Sequence, residues 1–255
     1  MSPSRKDLFT AWYAELESRH LEDLKFAELR RALTALSTVY VERRASITRG
    51  AALDSAGKRA AFALFYGPLH YLAVHHVIRE LRPRKPYPKR LIDIGCGTGA
   101  AGAAWAVAIG CKPSVRGYDL NPWAVKEAGW TLRQFGLNHT VARRDVSNVP
   151  MPGKKDALLA AWVVNELREE IRTDLLPRLI VSAELGAEIL IVEPIAKRPA
   201  PWWGDWSRHI QDAGGRADEW EFQPDMPESL RLLDKAAKLD HRRFKLRTLS
   251  ANLGT

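Results

Sequence analysis

The stretch that decides the fold is Arg90-Leu-Ile-Asp-Ile-Gly-Cys-Gly-Thr-Gly-Ala100. Leu91 to Ile94 is an apolar run interrupted by one acid, Asp93. Glycines follow at 95, 97 and 99, and then an alanine-rich segment to Ile109 that reads as a helix. Strand, glycine turn and helix in this order form the first unit of a doubly wound α/β sheet. A residue without Cβ can take positive φ and let a ligand approach backbone N–H groups, and the helix N-terminus behind it carries partial positive charge.

Gly95 to Ala100 also satisfies the G-x-G-x-x-G/A pattern of dinucleotide sites. Asp93 separates the two ligand classes that use such a turn. A carboxylate there repels a pyrophosphate and attracts an amino-acid ammonium. Asp-x-Gly-x-Gly-x-Gly resembles motif I of the class I S-adenosylmethionine (SAM) methyltransferases. A nicotinamide enzyme and a turn without ligand are the competing readings. The resemblance implies a Rossmann-like methyltransferase sheet with SAM as cofactor, and it places Asp93, Gly95, Cys96, Gly97 and Gly99 around that cofactor.

Composition is that of a globular chain: 255 residues, 46% hydrophobic and 27% charged, enough for one α/β domain and an extension. No apolar run reaches the roughly 20 residues of a membrane span, and the N-terminus lacks a signal-peptide core. Cys96 and Cys111 have no metal-ligand spacing, so free thiols in a reducing cytoplasm, with no metal, are expected. The net charge of +9 is uneven. Residues 1–90 hold 17 Lys+Arg against 9 Asp+Glu, and the remainder 22 against 21. A basic helical extension, 1–89, ahead of a near-neutral domain, 90–255, points to an anionic partner; a merely solvated basic surface is the alternative.

Residues 7–48 read as two helices, the second with Leu29, Ala32, Leu33, Leu36 and Tyr40 near period 3.6. Arg30, Arg31, Arg43, Arg44 and Arg49 could face phosphates or solvent. Residues 50–57 read as a loop. Lys58–Leu81 reads as a helix broken or bent at Gly67-Pro68, with Tyr66, His70, Tyr71, His75 and His76 able to cover a cofactor pocket. His75 and His76 suit packing better than a metal. The proline-rich Arg82–Arg90 is an extended basic connector.

Later elements alternate as expected for the fold. Strands are read at Ser114–Asp119, 140–143, 157–164 and 188–193. A helix opens at Asn121-Pro122 and ends before Gly136; others run from Glu166 to about Ser182 and over 206–213. A strand at 216–222, a helix at 227–239 and a strand near 244–251 close the chain.

Ligands in such sheets bind at the carboxyl ends of strands. Asp119 ends the second strand 24 residues after Gly95, where an acid can take ribose hydroxyls. The resemblance implies that Asp145 meets the adenine amino group, although Arg143 and Arg144 could simply pair with it. Leu120 and Val146 would touch the adenine faces. Trp162 belongs to the same set of cofactor residues, and Asn165 and Glu166 face the methyl acceptor as the catalytic pair. Asn165 could instead only cap the following helix. Trp202, Trp203 and Trp206 either stack a base or close the core.

A narrower resemblance rests on the segment 36–44, the Tyr-rich helix before motif I, Asn165-Glu166-Leu167 and Ile191-Val192-Glu193-Pro194. Together these are similar to the ribosomal small-subunit methyltransferase-like family, whose mitochondrial members act in ribosome assembly. The iron–sulfur cysteine cluster of that family has no counterpart, since no cysteine follows Cys111. The resemblance implies RNA, ribosomal for preference, as acceptor and the small subunit as partner. A small-molecule acceptor, or a SAM-binding assembly factor with little turnover, are the alternatives.

Overall fold

Leu91, Ile92 and Ile94 are all but fully buried, as a central parallel strand covered on both faces requires. They form β1 (Arg90–Ile94) of a seven-stranded sheet in a computed structural model that describes residues 5–22, 24–42, 53–195 and 200–254. The other strands are β2 (Ser114–Asp119), β3 (His139–Arg143), β4 (Asp156–Ala161), β5 (Glu188–Pro194), β6 (Arg216–Phe222) and β7 (Phe244–Ala251). The spatial order is β3-β2-β1-β4-β5-β7-β6. β1 to β5 are parallel, and β7 enters antiparallel between β5 and β6. The order reverses at β1, so the crevice of a doubly wound sheet opens beyond the carboxyl ends of β1 and β4.

Helices cover both faces. α1 is Arg5–Leu21, α2 Phe26–Glu42, α3 Ala56–Ala61 and α4 Gly67–Leu81; then come α5 (Ala100–Ile109), α6 (Pro122–Gln134), α7 (Glu169–Glu184), α8 (Trp203–Asp212) and α9 (Glu228–Ala236). All ten residues of α5 are buried, because a helix apolar on every side must be enclosed. Asn121 caps α6 by accepting from the backbone N–H groups of Trp123 and Ala124, as its sequence signature indicated.

The expected break at Gly67-Pro68 is a bulge instead. Phe62–Tyr66 is a π-helical turn in which the Gly67 N–H donates to the Phe62 carbonyl five residues back. Pro68 has no N–H to offer, and the widened turn joins α3 to α4 without interrupting the rod. The turn presents Phe62 and Tyr66 to the crevice described below.

The extension packs into the main core. Phe9, Trp12, Tyr13 and Leu16 are buried on α1, and each such side chain stabilises by about 1.5–3 kcal/mol. Phe9 lies 4.9 Å from Tyr71 of α4, and Trp12 5.5 Å from Phe135 after α6. Arg19 and His20 each reach the buried Glu127 of α6 at 2.9 Å. On α2 the buried face is Leu29, Leu33 and Leu36, with Ala32 half-buried. Arg43, Arg44, Arg49 and the side chain of Tyr40 lie outside what is described. His75 stacks on Tyr71 and His76 on Phe222, a packing role for both.

The basic connector enters β1 at its amino end. Arg82, Arg84, Lys85 and Lys89 are exposed there, while Arg90 is paired with Asp156. Cys96 and Cys111 are free thiols. Among the described residues no helix is long and apolar enough to cross a membrane, and no cluster of His, Cys, Asp and Glu could hold a metal.

Candidate active site

Three backbone twists build the floor of the site. Gly95, Gly97 and Gly99 have φ of +63°, +54° and +74°, a region that penalises any residue with a Cβ. The Cys96 N–H donates to the Tyr118 carbonyl at 3.0 Å, tying the turn to the end of β2. The Gly97 N–H donates to Asp119 Oδ2 at 3.0 Å, and the Asn121 N–H to Asp119 Oδ1 at 2.9 Å. Asp119 is therefore fixed by backbone donors on both oxygens and cannot swing away.

Gly99 serves packing. A Cβ there would meet Ala128 of α6 at 3.0 Å. A further glycine, Gly102 in α5, has a role that its local sequence does not single out. A Cβ on it would stand 2.8 Å from Asp93 Oδ2, so Gly102 makes the space for that carboxylate. A lone glycine inside an alanine helix was the available signal.

Beyond the turn lies a cavity of about 460 Å³, within the range of small-molecule sites. Asp93, Gly95, Cys96, Gly97, Asp119, Trp162, Asn165 and Glu166 line it, as do Glu193 and the aromatic side chains Phe62, Tyr66, His70 and Phe244. Gly99, Leu120, Asp145 and Val146 are not among its lining residues. Leu120 is exposed and Val146 buried. Asp145 accepts from the Ser147 N–H and hydroxyl, which hold its carboxyl below the usual range. The two arginines turn elsewhere: Arg143 donates to the Leu120 carbonyl and Arg144 lies over the Tyr118 ring.

The end of β4 departs from expectation. The strand stops at Ala161, not 164, and Trp162 has φ +55°, a costly conformation for an aromatic residue. Its ring stacks on His70 at 3.9 Å and 7°. Val164–Glu166 forms one 3₁₀ turn, and α7 begins only at Glu169 with Arg168 at its cap position.

Asn165 therefore caps no α-helix. Its backbone N–H donates to Glu193 Oε1 at 3.1 Å and its side-chain Nδ2 to Glu193 Oε2 at 2.6 Å. Trp202 Nε1, which can only donate, gives its hydrogen to Asn165 Oδ1 at 2.9 Å. The indole thus fixes which way the amide points. Burial pushes the Glu193 carboxyl up to about 8, against the hydrogen bonds from the Asn165 and Val164 backbone and aided by the nearby Glu166 charge. Trp202 and Trp206 are buried and Trp203 lies under Arg247 at 3.9 Å, so these tryptophans close the core around α8, and Trp202 reaches the site through Asn165.

His241 is a further site residue without a local sequence signal. It lines the cavity, its ring Nδ1 lies 2.6 Å from Asp234 Oδ1, and its backbone N–H donates to Asp234 Oδ2 at 3.0 Å.

Four carboxylates line a cavity floored by positive-φ glycines. That donor set fits SAM: Asp93 can take an ammonium, Asp119 a pair of ribose hydroxyls, and the acidic lining a sulfonium. The sheet order and this turn are those of a class I SAM-dependent methyltransferase. Residues 91–180 match the methyltransferase domain family, and SAM is its cofactor.

Several solved structures are similar. Magnesium protoporphyrin IX methyltransferase from Synechocystis PCC 6803, determined with bound SAM, is 16% identical over 88% of this chain and 97% of its own, with TM-score 0.49. A SAM-dependent methyltransferase from Aquifex aeolicus is 20% identical over 72% of this chain and 90% of its own, TM-score 0.44. Ribosomal protein L11 methylase from Lactobacillus delbrueckii subsp. bulgaricus is 14% identical over 71% and 77%, TM-score 0.43. Their names give different acceptors, a porphyrin in one and a ribosomal protein in another. No curated protein matches the chain.

Proposed function

We propose that this methyltransferase acts on RNA, with residues 1–89 holding the nucleic acid and residues 90–255 carrying the chemistry. The observation that carries this reading is the place of α2 at the site. Ser37 lines the cavity, and Arg30, two turns earlier, shares its face at about 10 Å along the helix axis. Arg30, Arg31 and Thr34 are exposed. Arg243 and Lys245 also belong to the cavity lining and stay largely exposed while pairing with Glu221. Cations from α2 and from the start of β7 therefore accompany an aromatic pocket, the combination that suits an unstacked base on a phosphate backbone.

SAM supplies a methyl group on a sulfonium sulfur. Within this reading Asp93 and Asp119 hold the amino-acid and ribose ends, and Asn165, braced by Glu193 and Trp202, orients the acceptor for in-line attack. Proximity and alignment are the main contribution. Leu120, Val146 and Asp145 stand beside the cavity as candidates for the adenine end.

The charges of the connector belong to a different surface. Arg84 and Lys85 precede the amino end of β1, separated from the cavity by the length of a strand, roughly 15 Å at about 3.3 Å per residue. Charge reversal at Arg30, Arg31, Arg243 and Lys245 should weaken binding of total RNA and flatten its salt dependence. Reversal at Arg84 and Lys85 should do far less. RNA binding that is absent at low salt would move the acceptor to a small molecule or a protein.

A further inference from the structure

The turn between α9 and β7 carries an acid–imidazole pair on the wall of the cavity. Asp234 is buried, and its two oxygens face the ring Nδ1 and the backbone N–H of His241. Both contacts come from one residue, so the imidazole is held in position and in plane. Facing a carboxylate oxygen, Nδ1 is the nitrogen that carries hydrogen, which leaves Nε2 as the proton acceptor. The ring packs edge-on to Phe65 of the π-helical turn at 5.4 Å and lies 5.6 Å from Phe244. Phe244 in turn meets Trp162, the residue that follows β4, at 6.5 Å. His241 therefore stands on the cavity wall, with Phe244 between it and Trp162.

We propose that His241, oriented by Asp234, removes the proton of the methyl acceptor, so that the acceptor atom is a hydroxyl or a ring nitrogen that carries hydrogen. The proposal rests on the methyl-transfer reading of the cavity and deepens it. In the step the acceptor lone pair forms the new bond to the methyl carbon, and the sulfur–methyl bond breaks with its electrons left on sulfur. The acceptor proton passes to His241 Nε2 and then to solvent, so charge balances: a sulfonium is lost and one proton is released. Asp234 is a positioning residue that keeps the ring in the useful tautomer. The charged and titratable groups around the ring are Asp234 from α9 and Asp240, Arg242 and Arg243 from its own turn. Lys245, Glu166, Glu193, Tyr66 and His70 share the cavity wall. Asp240 is engaged by Arg242, so Asp234 is the acid directly bonded to the ring.

The test uses the full chain and three variants: His241→Gln, His241→Ala and Asp234→Asn. Tritiated SAM is supplied with total RNA, protein and small-molecule fractions from cells lacking the gene, and rates are followed from pH 5.5 to 9. In whichever fraction the wild type labels, His241→Gln and His241→Ala should cut the rate by about 10²–10⁴-fold, the usual contribution of a general base, and abolish the imidazole limb of the pH profile. Asp234→Asn should lower the rate and displace that limb, and SAM affinity by calorimetry should stay within about threefold for all. An independent readout is ¹⁵N NMR of the imidazole, which should show hydrogen on Nδ1 and a resonance that shifts when S-adenosylhomocysteine binds. Wild-type rates in His241→Gln, hydrogen on Nε2 at neutral pH, or a product methylated at an atom that bore no hydrogen would each overturn the proposal. Label in protein or small molecules rather than RNA would overturn the RNA reading and leave the variant comparison intact.

Discussion

Asn165 donates both its backbone N–H and its side-chain amide to the buried carboxylate of Glu193, at 3.1 and 2.6 Å. This pair of bonds joins the turn after β4 to β5, and Trp202, at the cap position of α8, completes the triad. A cap and a brace respond differently to substitution. A capping asparagine tolerates aspartate or serine. Here Asn165→Asp would set a second carboxylate against Glu193, and Asn165→Ser would reach neither Glu193 Oε2 nor the indole. Both should lose stability by about 1–3 kcal/mol, the cost of unmade buried hydrogen bonds, read as the urea midpoint. Under the proposed role of the amide in orienting the acceptor, turnover should fall further than stability.

The buried acids set a pH dependence. Burial pushes Glu193 up to about 8 and Glu188 up to about 7, so the folded state favours their protonated forms. A group raised in the fold contributes stability that is complete below its unfolded value near 4.5 and is lost as pH rises through the folded value. Folding stability should therefore decline between pH 4.5 and 8. Glu193→Gln removes its share of that slope, although it leaves one Asn165 donor without an acceptor and starts from a lower plateau. Urea melts of both proteins across this window check the slope. An unchanged slope in Glu193→Gln would deny Glu193 its part.

Two glycines should separate stability from binding. Gly99→Ala meets Ala128 of α6 at positive φ and should chiefly lower the melting temperature. Gly102→Ala presses on the Asp93 carboxylate and should chiefly weaken SAM binding, by about tenfold or more if one charged hydrogen bond is lost. Calorimetry and thermal melts on the same pair of variants resolve the two effects.

Where turn residues bounded an element, the sequence spelled it out. β2, β6 and β7 lie where glycine, proline and alternating patterns placed them, and Asn121-Pro122 marked α6 because the cap chemistry is local. β4 was overextended because Val163 and Val164 continue its apolar run, and nothing local to Trp162 announces positive φ. Asn165 looked like a cap because its true partners, Glu193 and Trp202, are 28 and 37 residues away. Gly102 and His241 escaped for the same reason: their meaning lies in the Asp93 carboxylate and in Asp234, neither of which local patterning places beside them. The positive charge of the extension was visible as a sum. Its division between internal pairs such as Arg19–Glu127 and exposed residues such as Arg30 needed the packing.

The most direct measurement is titration of the purified chain with SAM, S-adenosylhomocysteine and NAD by calorimetry, alongside Asp119→Ala and Gly97→Val. SAM and its demethylated product should bind the wild type and NAD should not. Asp119→Ala should weaken binding by about 1–3 kcal/mol, the value of a hydrogen bond to a charged group. Gly97→Val should abolish it, since valine cannot adopt φ of +54° without strain. Tight binding of NAD with no response to SAM would contradict the account.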